Sequence, residues 1–235
     1  MSDQKPVIVW LRRDLRLSDS PALIAARGGG APVVPVFIND ESVAALGAAP
    51  KWRLGLSLAA LQRDLEAKGS RLILRRGDAQ EVMLSLVQET GAGAVHWSRL
   101  YDPKAIARDS AIKAALKNRG IDATSHNGHL LFEPWTVETG TGGFYKVYTP
   151  MWRAVKDRDV PEPQPAPLRI PAPEGWPPSD RLDDWRMGAA MERGAGVCLP
   201  HQCVGEEAAQ GRLGAFVAHT INAYTDARDN PGVAG

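Results

Sequence analysis

Residues 7–19 read VIVWLRRDLRLSD, an apolar run that ends in three arginines interleaved with two aspartates. The apolar run predicts a buried strand, and the Ser-Pro pair at 20–21 predicts the start of a helix. Because ligands bind outside the carboxyl ends of strands in an open parallel sheet, the charged loop lies where a site is expected. The pattern leaves a second interpretation open, in which Arg12, Asp14 and Arg16 form an ion-pair network that only fixes the loop.

The same alternation of apolar runs and helical periods continues along the first part of the chain. The strands are predicted at 7–11, 33–38, 72–74, 94–97 and 121–124, and the helices at 21–27, 51–68, 79–90 and 103–119. Strands that alternate with helices through short connections indicate a parallel sheet covered on both faces. We therefore predict an α/β fold, a five-stranded doubly wound parallel sheet of Rossmann-like type, over residues 6–135.

The second part of the chain has a different character. Residues 136–204 are predicted to be an interdomain linker, because prolines crowd 161–178 and exclude helix interiors and central strands. We expect this linker to be extended and to lie across the first domain. Residues 205–235 are predicted to form the first helix of a truncated helical domain. We expect that helix to expose an apolar stripe formed by Leu213, Phe216 and Ile221.

Composition and charge describe an ordinary globular chain of 235 residues with 44% hydrophobic and 23% charged residues. A net charge of +1 gives no broad attraction for nucleic acid. The two cysteines, Cys198 and Cys203, lack C-x-x-C spacing and predict neither a zinc site nor a disulfide. No signal region and no run of about 20 apolar residues is found. We therefore expect a soluble, cytoplasmic protein that does not associate with a membrane.

Common catalytic and cofactor motifs are missing from the sequence. No G-x-G-x-x-G follows the first strand, and neither a Walker-type loop nor a G-x-S-x-G elbow occurs. His126 and His129 lack neighbouring acids at metal-ligand spacing, so they are predicted to be structural or surface residues. We predict no catalytic acid–base residue and no metal. The charged ends of the first four strands remain the candidate rim of a binding pocket.

Four segments carry a more specific pattern. Residues 10–19 match W-x-R-x-D-L-R-x-x-D, and residues 145–152 match Y-x-V-[FY]-[TS]-P-[FY]-W except that Met151 replaces an aromatic residue. Residues 205–216 match G-E-x-x-A-x-x-R-L-x-x-F, and residues 224–231 match Y-x-x-x-R-D-x-P. Taken in order, these segments resemble the DNA photolyase and cryptochrome family.

The resemblance implies a light-driven lyase that repairs cyclobutane pyrimidine dimers in damaged DNA. It implies reduced FAD as the cofactor that splits the dimer, and an antenna chromophore, a deazaflavin or a reduced folate, in the α/β domain. The full-length protein is expected to be a monomer that binds damaged DNA through a C-terminal domain. This chain is expected to be the front portion of such a protein and to be inactive alone.

The resemblance also implies roles for individual residues. Tyr224 matches a tyrosine that contacts FAD, and Arg228 matches an arginine on the DNA side. The Asn-Glu pair of folate-type antenna sites is replaced by Lys104 and Ala105, which favours a deazaflavin-type pocket. The residues expected to line that pocket are Arg12, Phe37, Asn39, Asp40 and Asp102.

Two alternatives share these observations. A cryptochrome carries the same motifs but senses light instead of repairing DNA. A stand-alone nucleotide-binding α/β module requires the segment from Gly205 onward to be a finished, covered element. The lesion type, cyclobutane dimer or 6-4 product, is left open by the residues.

Overall fold

Five parallel strands form the centre of the molecule. The structure is a computed structural model and describes residues 4–230. The strands are Val7–Leu11 (β1), Val33–Asn39 (β2), Ile73–Arg76 (β3), Ala94–Ser98 (β4) and Asp122–His126 (β5). They are arranged in the order β3-β2-β1-β4-β5, and every pair is parallel. The predicted doubly wound sheet is confirmed, and both ends of every strand lie within two residues of their predicted positions.

Helices cover both faces of the sheet. They are Pro21–Arg27 (α1), Glu41–Ala44 (α2), Ala48–Ala67 (α3), Ala79–Thr90 (α4) and Pro103–Lys117 (α5). One core cluster joins α1 and α3 to one face, and a second joins α4 and α5 to the other. Side chains alternate between the two faces, so Val9 belongs to the first cluster and Trp10 to the second.

Two helix predictions need correction. The helix predicted from residue 51 begins at Ala48, three residues earlier. The short helix α2 is not predicted at all, although its signal is present in the sequence. Asp40 caps it by accepting hydrogen bonds from the backbone N–H groups of Ser42 and Val43, as expected for an aspartate before a helix.

A proline-rich segment at residues 164–187, which we call the strap, runs back across the sheet. Backbone hydrogen bonds hold it, from Val33 N–H to the carbonyl of Pro171 at 2.8 Å and from Asp180 N–H to that of Leu74 at 2.9 Å. Ile170 is fully buried in the first core cluster. The expected extended path across the α/β body is confirmed for residues 164–181, and the role of this segment as an interdomain linker stays a prediction.

Short helical elements lie on both sides of the strap and at its end. They are Pro134–Thr136, Tyr148–Val155 (α6), Leu182–Trp185, Ala189–Met191, Arg193–Cys198 (α7) and Leu199–His201. The sequence analysis predicts only a linker there. Helical elements of three to eight residues leave too little periodicity to be recognised in a sequence rich in proline and glycine.

The segment from residue 205, which we call the tail, is less regular than predicted. It consists of Glu206–Ala215 (α8), a π-helical turn at Phe216–Thr220, a 3-10 turn at Ile221–Ala223 and Tyr224–Ala227 (α9). The backbone is helical from 206 to 227 as predicted, but it passes through π and 3-10 turns between 216 and 223, where no buried contact fixes it. Two of the three residues of the expected apolar stripe are exposed, Leu213 at 63% and Ile221 at 47%, whereas Phe216 is half-buried. Pro231, the end of the fourth sequence pattern, lies outside the described residues. None of the helices described in residues 4–230 is both long and apolar enough to cross a bilayer.

Candidate functional site

A cleft of about 800 Å³ opens at the carboxyl ends of β1, β2 and β4. It lies between α3 on one side and the start of α5 on the other. Four of the five predicted pocket residues line it: Arg12, Phe37, Asp40 and Asp102. The fifth, Asn39, lines a neighbouring hollow of about 570 Å³, which we call the side hollow. The structure therefore brings the predicted residues to one edge of the sheet, as the parallel topology requires.

Arg12 lies at the floor of the cleft and is 8% exposed. Its guanidinium pairs with Asp109 at 2.6 Å, donates to the carbonyl of Ser98 and lies 4.4 Å from the ring centre of Trp10. Burial lowers the pKa of Arg12, and the carboxylate of Asp109 opposes that shift. Arg12 is thus a compensated internal cation that supports the floor of the cleft.

The loop arginines do not form the network that the local spacing suggested. Asp14 accepts a hydrogen bond from the backbone N–H of Arg12 at 3.0 Å, while the Arg12 side chain pairs outside the loop. Arg16 donates to the carbonyls of Asp19 at 2.8 Å and Gly128 at 3.0 Å. The loop is fixed by hydrogen bonds to backbone carbonyls and by a distant aspartate, so its partners differ from those expected.

Arg108 on α5 completes the floor and is missed by the sequence analysis. It pairs with Asp40 at 2.7 Å and with Asp109 at 2.9 Å, and it lies 5.0 Å from the ring centre of Trp10. Arg12, Asp109, Arg108 and Asp40 therefore form a continuous chain of alternating charge under the cleft. Nothing in the sequence reveals this chain, because its members come from three separate elements.

The two predicted aspartates both cap helices while facing the cleft. Asp40 caps α2, and Asp102 caps α5 by accepting a hydrogen bond from Ala105 N–H at 3.0 Å. That backbone hydrogen bond, with the nearby charge of Arg13, lowers the pKa of Asp102. Asp102 is accordingly ionised at neutral pH and forms a 3.3 Å ion pair with Arg13 at the rim.

The opposite wall of the cleft is apolar. Phe37 is buried, and its ring centre lies 6.1 Å from that of Trp185 in the strap. Further apolar lining residues include Leu15, Ile38, Val43, Leu46, Pro50, Leu54 and Leu100. An apolar wall facing a polar, charge-compensated floor suits a flat aromatic ligand with hydrogen-bonding edges.

A comparison with known protein families matches the part of the chain that forms this cleft. The family model described as DNA photolyase matches residues 7–169, which include the whole sheet and all residues that line the cleft. The chain belongs to the DNA photolyase family. The predicted resemblance and the α/β fold are therefore both confirmed.

Individual photolyases and cryptochromes match closely. The deoxyribodipyrimidine photo-lyase of Agrobacterium fabrum is 43% identical over 227 residues, which cover 96% of this chain and 47% of that protein. Cryptochrome-2 of Arabidopsis thaliana is 38% identical over 164 residues, covering 68% of this chain and 27% of that protein. The chain spans about half the length of the curated photolyases it matches.

Solved photolyase structures share the fold. The crystal structure of a bacterial class III photolyase from Agrobacterium tumefaciens superposes with a TM-score of 0.93 at 41% identity, covering 98% of this chain and 48% of that one. An archaeal photolyase from Sulfolobus tokodaii, solved with two FAD molecules, gives a TM-score of 0.65 at 25% identity over 78% of this chain and 41% of that one.

The photolyase-type residues of the tail lie apart from the cleft. Tyr224 is 49% exposed, and its ring packs edge-on against Phe216 with 5.8 Å between ring centres. The guanidinium carbon of Arg228 lies 6.0 Å from the ring centre of Tyr224, and Arg228 pairs with Asp229 at 3.5 Å. Arg228, the residue that follows α9, thus lies on the same side of the tail as Tyr224, as their spacing predicts.

The histidines form a separate structural feature. His96 Nδ1 and His126 Nε2 are 2.7 Å apart on neighbouring strands. Burial and the neighbouring His96 lower the pKa of His126 to about 4. His129 is not part of this pair. Within the part of the chain that the structure describes, no three potential ligands are placed to hold a metal ion.

Proposed function

We propose that this chain is the antenna-binding part of a deoxyribodipyrimidine photo-lyase, which repairs cyclobutane pyrimidine dimers in DNA with light. The observation that carries the proposal is the cleft of about 800 Å³ at the sheet edge of a chain that belongs to the photolyase family. In this proposal the cofactors perform the photochemistry: an antenna absorbs the light, and reduced FAD donates the electron. The protein supplies binding, orientation and a fixed electrostatic environment.

The cleft fits an antenna of flat aromatic type. The apolar wall around Phe37 and Leu54 provides contact area, and the compensated floor of Arg12 and Arg108 provides polar groups without a free buried charge. The indole N–H of Trp10 is buried without a hydrogen-bond partner among the described residues. We propose that a preformed cleft with this lining holds a chromophore in one orientation, which energy transfer requires.

We further propose that the antenna is a deazaflavin, with a reduced folate as the alternative. Support comes from Lys104 and Ala105, which occupy the positions of the folate-type Asn-Glu pair and themselves line the cleft. The side chains of Arg12, Phe37, Asp40 and Asp102 are proposed to surround the chromophore, and Asn39 to reach it from the side hollow.

In the tail we propose that Tyr224 contacts FAD and that Arg228 faces damaged DNA. Tyr224 presents a half-exposed ring, which suits contact with a flat cofactor.

We propose a division into an antenna domain at 6–135, a linker at 136–204 and the start of an FAD-binding domain at 205–235. We also propose a monomeric, cytoplasmic full-length protein, for which the free cysteines Cys198 and Cys203 are consistent with a reducing compartment.

The test is reconstitution of the purified chain with a deazaflavin and with a reduced folate, followed by absorption and fluorescence titration. We expect saturable binding and a red-shifted, sharpened absorption band for the deazaflavin. Ser57→Trp fills the cleft from α3 and is expected to weaken binding at least tenfold. Glu66→Trp places the same side chain on an exposed position of α3 and is the matched control. Equal binding to both variants contradicts the assignment of the cleft.

A cryptochrome function is the second candidate, favoured by the 38% identity to cryptochrome-2. The two candidates differ in whether light drives dimer repair. A repair assay on the full-length gene product separates them. Light-dependent loss of dimers supports the photolyase proposal, and a light-induced flavin signal without repair supports the cryptochrome.

A further inference from the structure

The tail is attached to the α/β body at the first residue of α8. The carboxylate of Glu206 accepts hydrogen bonds from the backbone N–H of Leu17 at 2.6 Å and of Ser18 at 2.9 Å. It also accepts one from the hydroxyl of Ser18. The α/β body thus supplies three donors to a single carboxylate, and such charge-assisted hydrogen bonds are among the strongest in proteins.

Neighbouring contacts support this attachment point. Gln210, one turn further along α8, donates to the Ser18 hydroxyl and to Glu206, both at 3.2 Å. Gly205 has φ +95, and a Cβ there would lie 3.1 Å from that of Ala60 on α3. Glycine is therefore required for α8 to approach the body this closely.

Beyond this point the tail has no buried anchor. None of the residues described in α8, α9 and the turns between them is buried, up to residue 230. Packing therefore does not determine the direction of the tail. Its direction depends on the polar contacts at residues 202–210, of which the Glu206 cluster is the largest; Arg53 adds hydrogen bonds to Gln202 and to the carbonyl of Cys203.

We infer that Glu206 is a positioning residue, which fixes the segment bearing Tyr224 relative to the cleft. The loop that Glu206 holds is the loop whose residues Arg13 and Leu15 line the cleft. Arg16 anchors the same loop from the other side, to the carbonyl of Gly128. One short loop therefore forms a wall of the cleft and the base on which the tail is mounted.

A second carboxylate, that of Asp64, lies near Glu206 and carries a charge of the same sign. Asp64 on α3 has a raised pKa, caused first by burial and next by the charge of Glu206. The carboxylates of Asp64 and Glu206 therefore repel each other when both are ionised, with Glu207, Arg63 and Lys68 as the other charged neighbours of Asp64. Removing the charge of Asp64 is expected to tighten the attachment.

The inference rests on the proposed function only for the role of Tyr224, since attachment matters to catalysis only if that residue contacts FAD. Its test therefore needs neither chromophore, FAD nor DNA. A failure of antenna binding leaves the attachment untouched, and a failure of attachment leaves antenna binding measurable.

The first experiment is hydrogen–deuterium exchange on the whole chain at neutral pH. In Glu206→Gln we expect the amides of α8 and of Leu17 and Ser18 to exchange about tenfold faster, the loss of one charge-assisted hydrogen bond. Glu207→Gln removes the neighbouring charge in the same helical turn and is the matched control. Protection of β1 amides shows that each variant is folded. Equal exchange of α8 in the two variants overturns the inference.

The second experiment measures position directly. Spin labels on Glu66→Cys and Ala227→Cys, in a Cys198→Ser/Cys203→Ser background, report the distance between α3 and the tail. We expect one narrow distance distribution for the parent, a broad one with Glu206→Gln, and a narrower one with Asp64→Asn. A distribution unchanged by Glu206→Gln shows that other contacts set the position of the tail, and overturns the inference. Ser18→Ala, which removes one donor and keeps the carboxylate, is expected to give an intermediate width.

Discussion

The α/β body and the tail are both built from helices, but the helices are held in different ways. In the body, α3 and α4 bury whole faces, with Leu58, Leu61 and Leu65 on α3 at most 1% exposed. In the tail, α8 has no buried residue and is held at its first turn. Packing therefore fixes the body along its full length, while polar contacts fix the tail at one end.

The charges follow the same division. The body carries ion pairs that bridge distant elements beneath the cleft, such as Arg12 with Asp109. The tail pair of Arg228 with Asp229 joins neighbours, with side chains 53% and 87% exposed. Buried pairs are costly to break because one charge is left uncompensated, whereas exposed pairs contribute little.

The largest effect is expected from Arg12→Ala in the body. It leaves Asp109 with one cation fewer in a buried site and is expected to lower the free energy of unfolding by about 3–5 kcal/mol. Urea denaturation followed by circular dichroism measures this change. Arg13→Ala removes a cation from the exposed pair with Asp102 and is expected to cost below about 1 kcal/mol. Similar losses from both variants contradict the assignment of Arg12 to a buried network.

The next largest effect is expected from truncating a buried leucine in the body, compared with an exposed leucine in the tail. Leu58→Ala in α3 empties a fully buried position and is expected to cost about 2–5 kcal/mol. Leu213→Ala in α8, at a position 63% exposed, is expected to change stability by less than about 0.5 kcal/mol. Thermal unfolding of the two variants is the measurement. A large loss for Leu213→Ala would show that the tail is packed and would break the comparison.

A smaller effect is expected at the first residues of two helices, α4 in the body and α8 in the tail. Asp78 caps α4 through the N–H groups of Gln80 and Glu81, both at 2.9 Å. Asp78→Ala is expected to cost about 1 kcal/mol of global stability. Gly205, the residue before α8, makes no side-chain cap, and Gly205→Ala is expected to displace α8 without a comparable effect on the unfolding of the body. Exchange rates of α8 and β1 separate the two outcomes.

The smallest expected effect is a pH dependence that belongs to the body. The pKa of His126 is lowered to about 4 from 6.5, so folding favours its neutral form. The stabilisation is complete above pH 6.5 and is lost as the pH falls through 6.5 toward 4, because the unfolded chain then binds the proton more readily. The side chain is half-buried, so we expect below about 1 kcal/mol between pH 7.5 and 5. Stability curves of His126→Gln should be flatter over this range, and equal slopes contradict the assignment.

The sequence predicts the body far better than the cleft floor. The short runs at 7–11 and 33–38, rich in valine and isoleucine, predict buried strands because β-branched residues favour strands and each run is too short for a helix. The topology then places Arg12, Asp40 and Asp102 at one edge without further information. The pairing of Arg12 with Asp109, 97 residues away, depends on how α5 packs, and no local pattern records it.

The tail shows where periodicity ceases to predict structure. Leu213, Phe216 and Ile221 have helical spacing, yet the backbone between 216 and 223 forms π and 3-10 turns. A pattern of apolar residues specifies a regular helix only when a partner surface packs against it. Glu206 lay within a recognised family pattern, but its contact with the loop at Leu17 and Ser18 is a tertiary one that the sequence does not reveal.

The strap has a practical consequence for anyone who wishes to excise the chromophore-binding body. Ile170, Trp185 and Met187 belong to the same core cluster as Phe37, so they act as internal parts of the body. A fragment that stops near residue 135 would lose these three buried side chains from its core and would expose Phe37 to water. We therefore expect a stable fragment of the antenna domain to need the linker as far as Met187, because the strap completes the core of that domain.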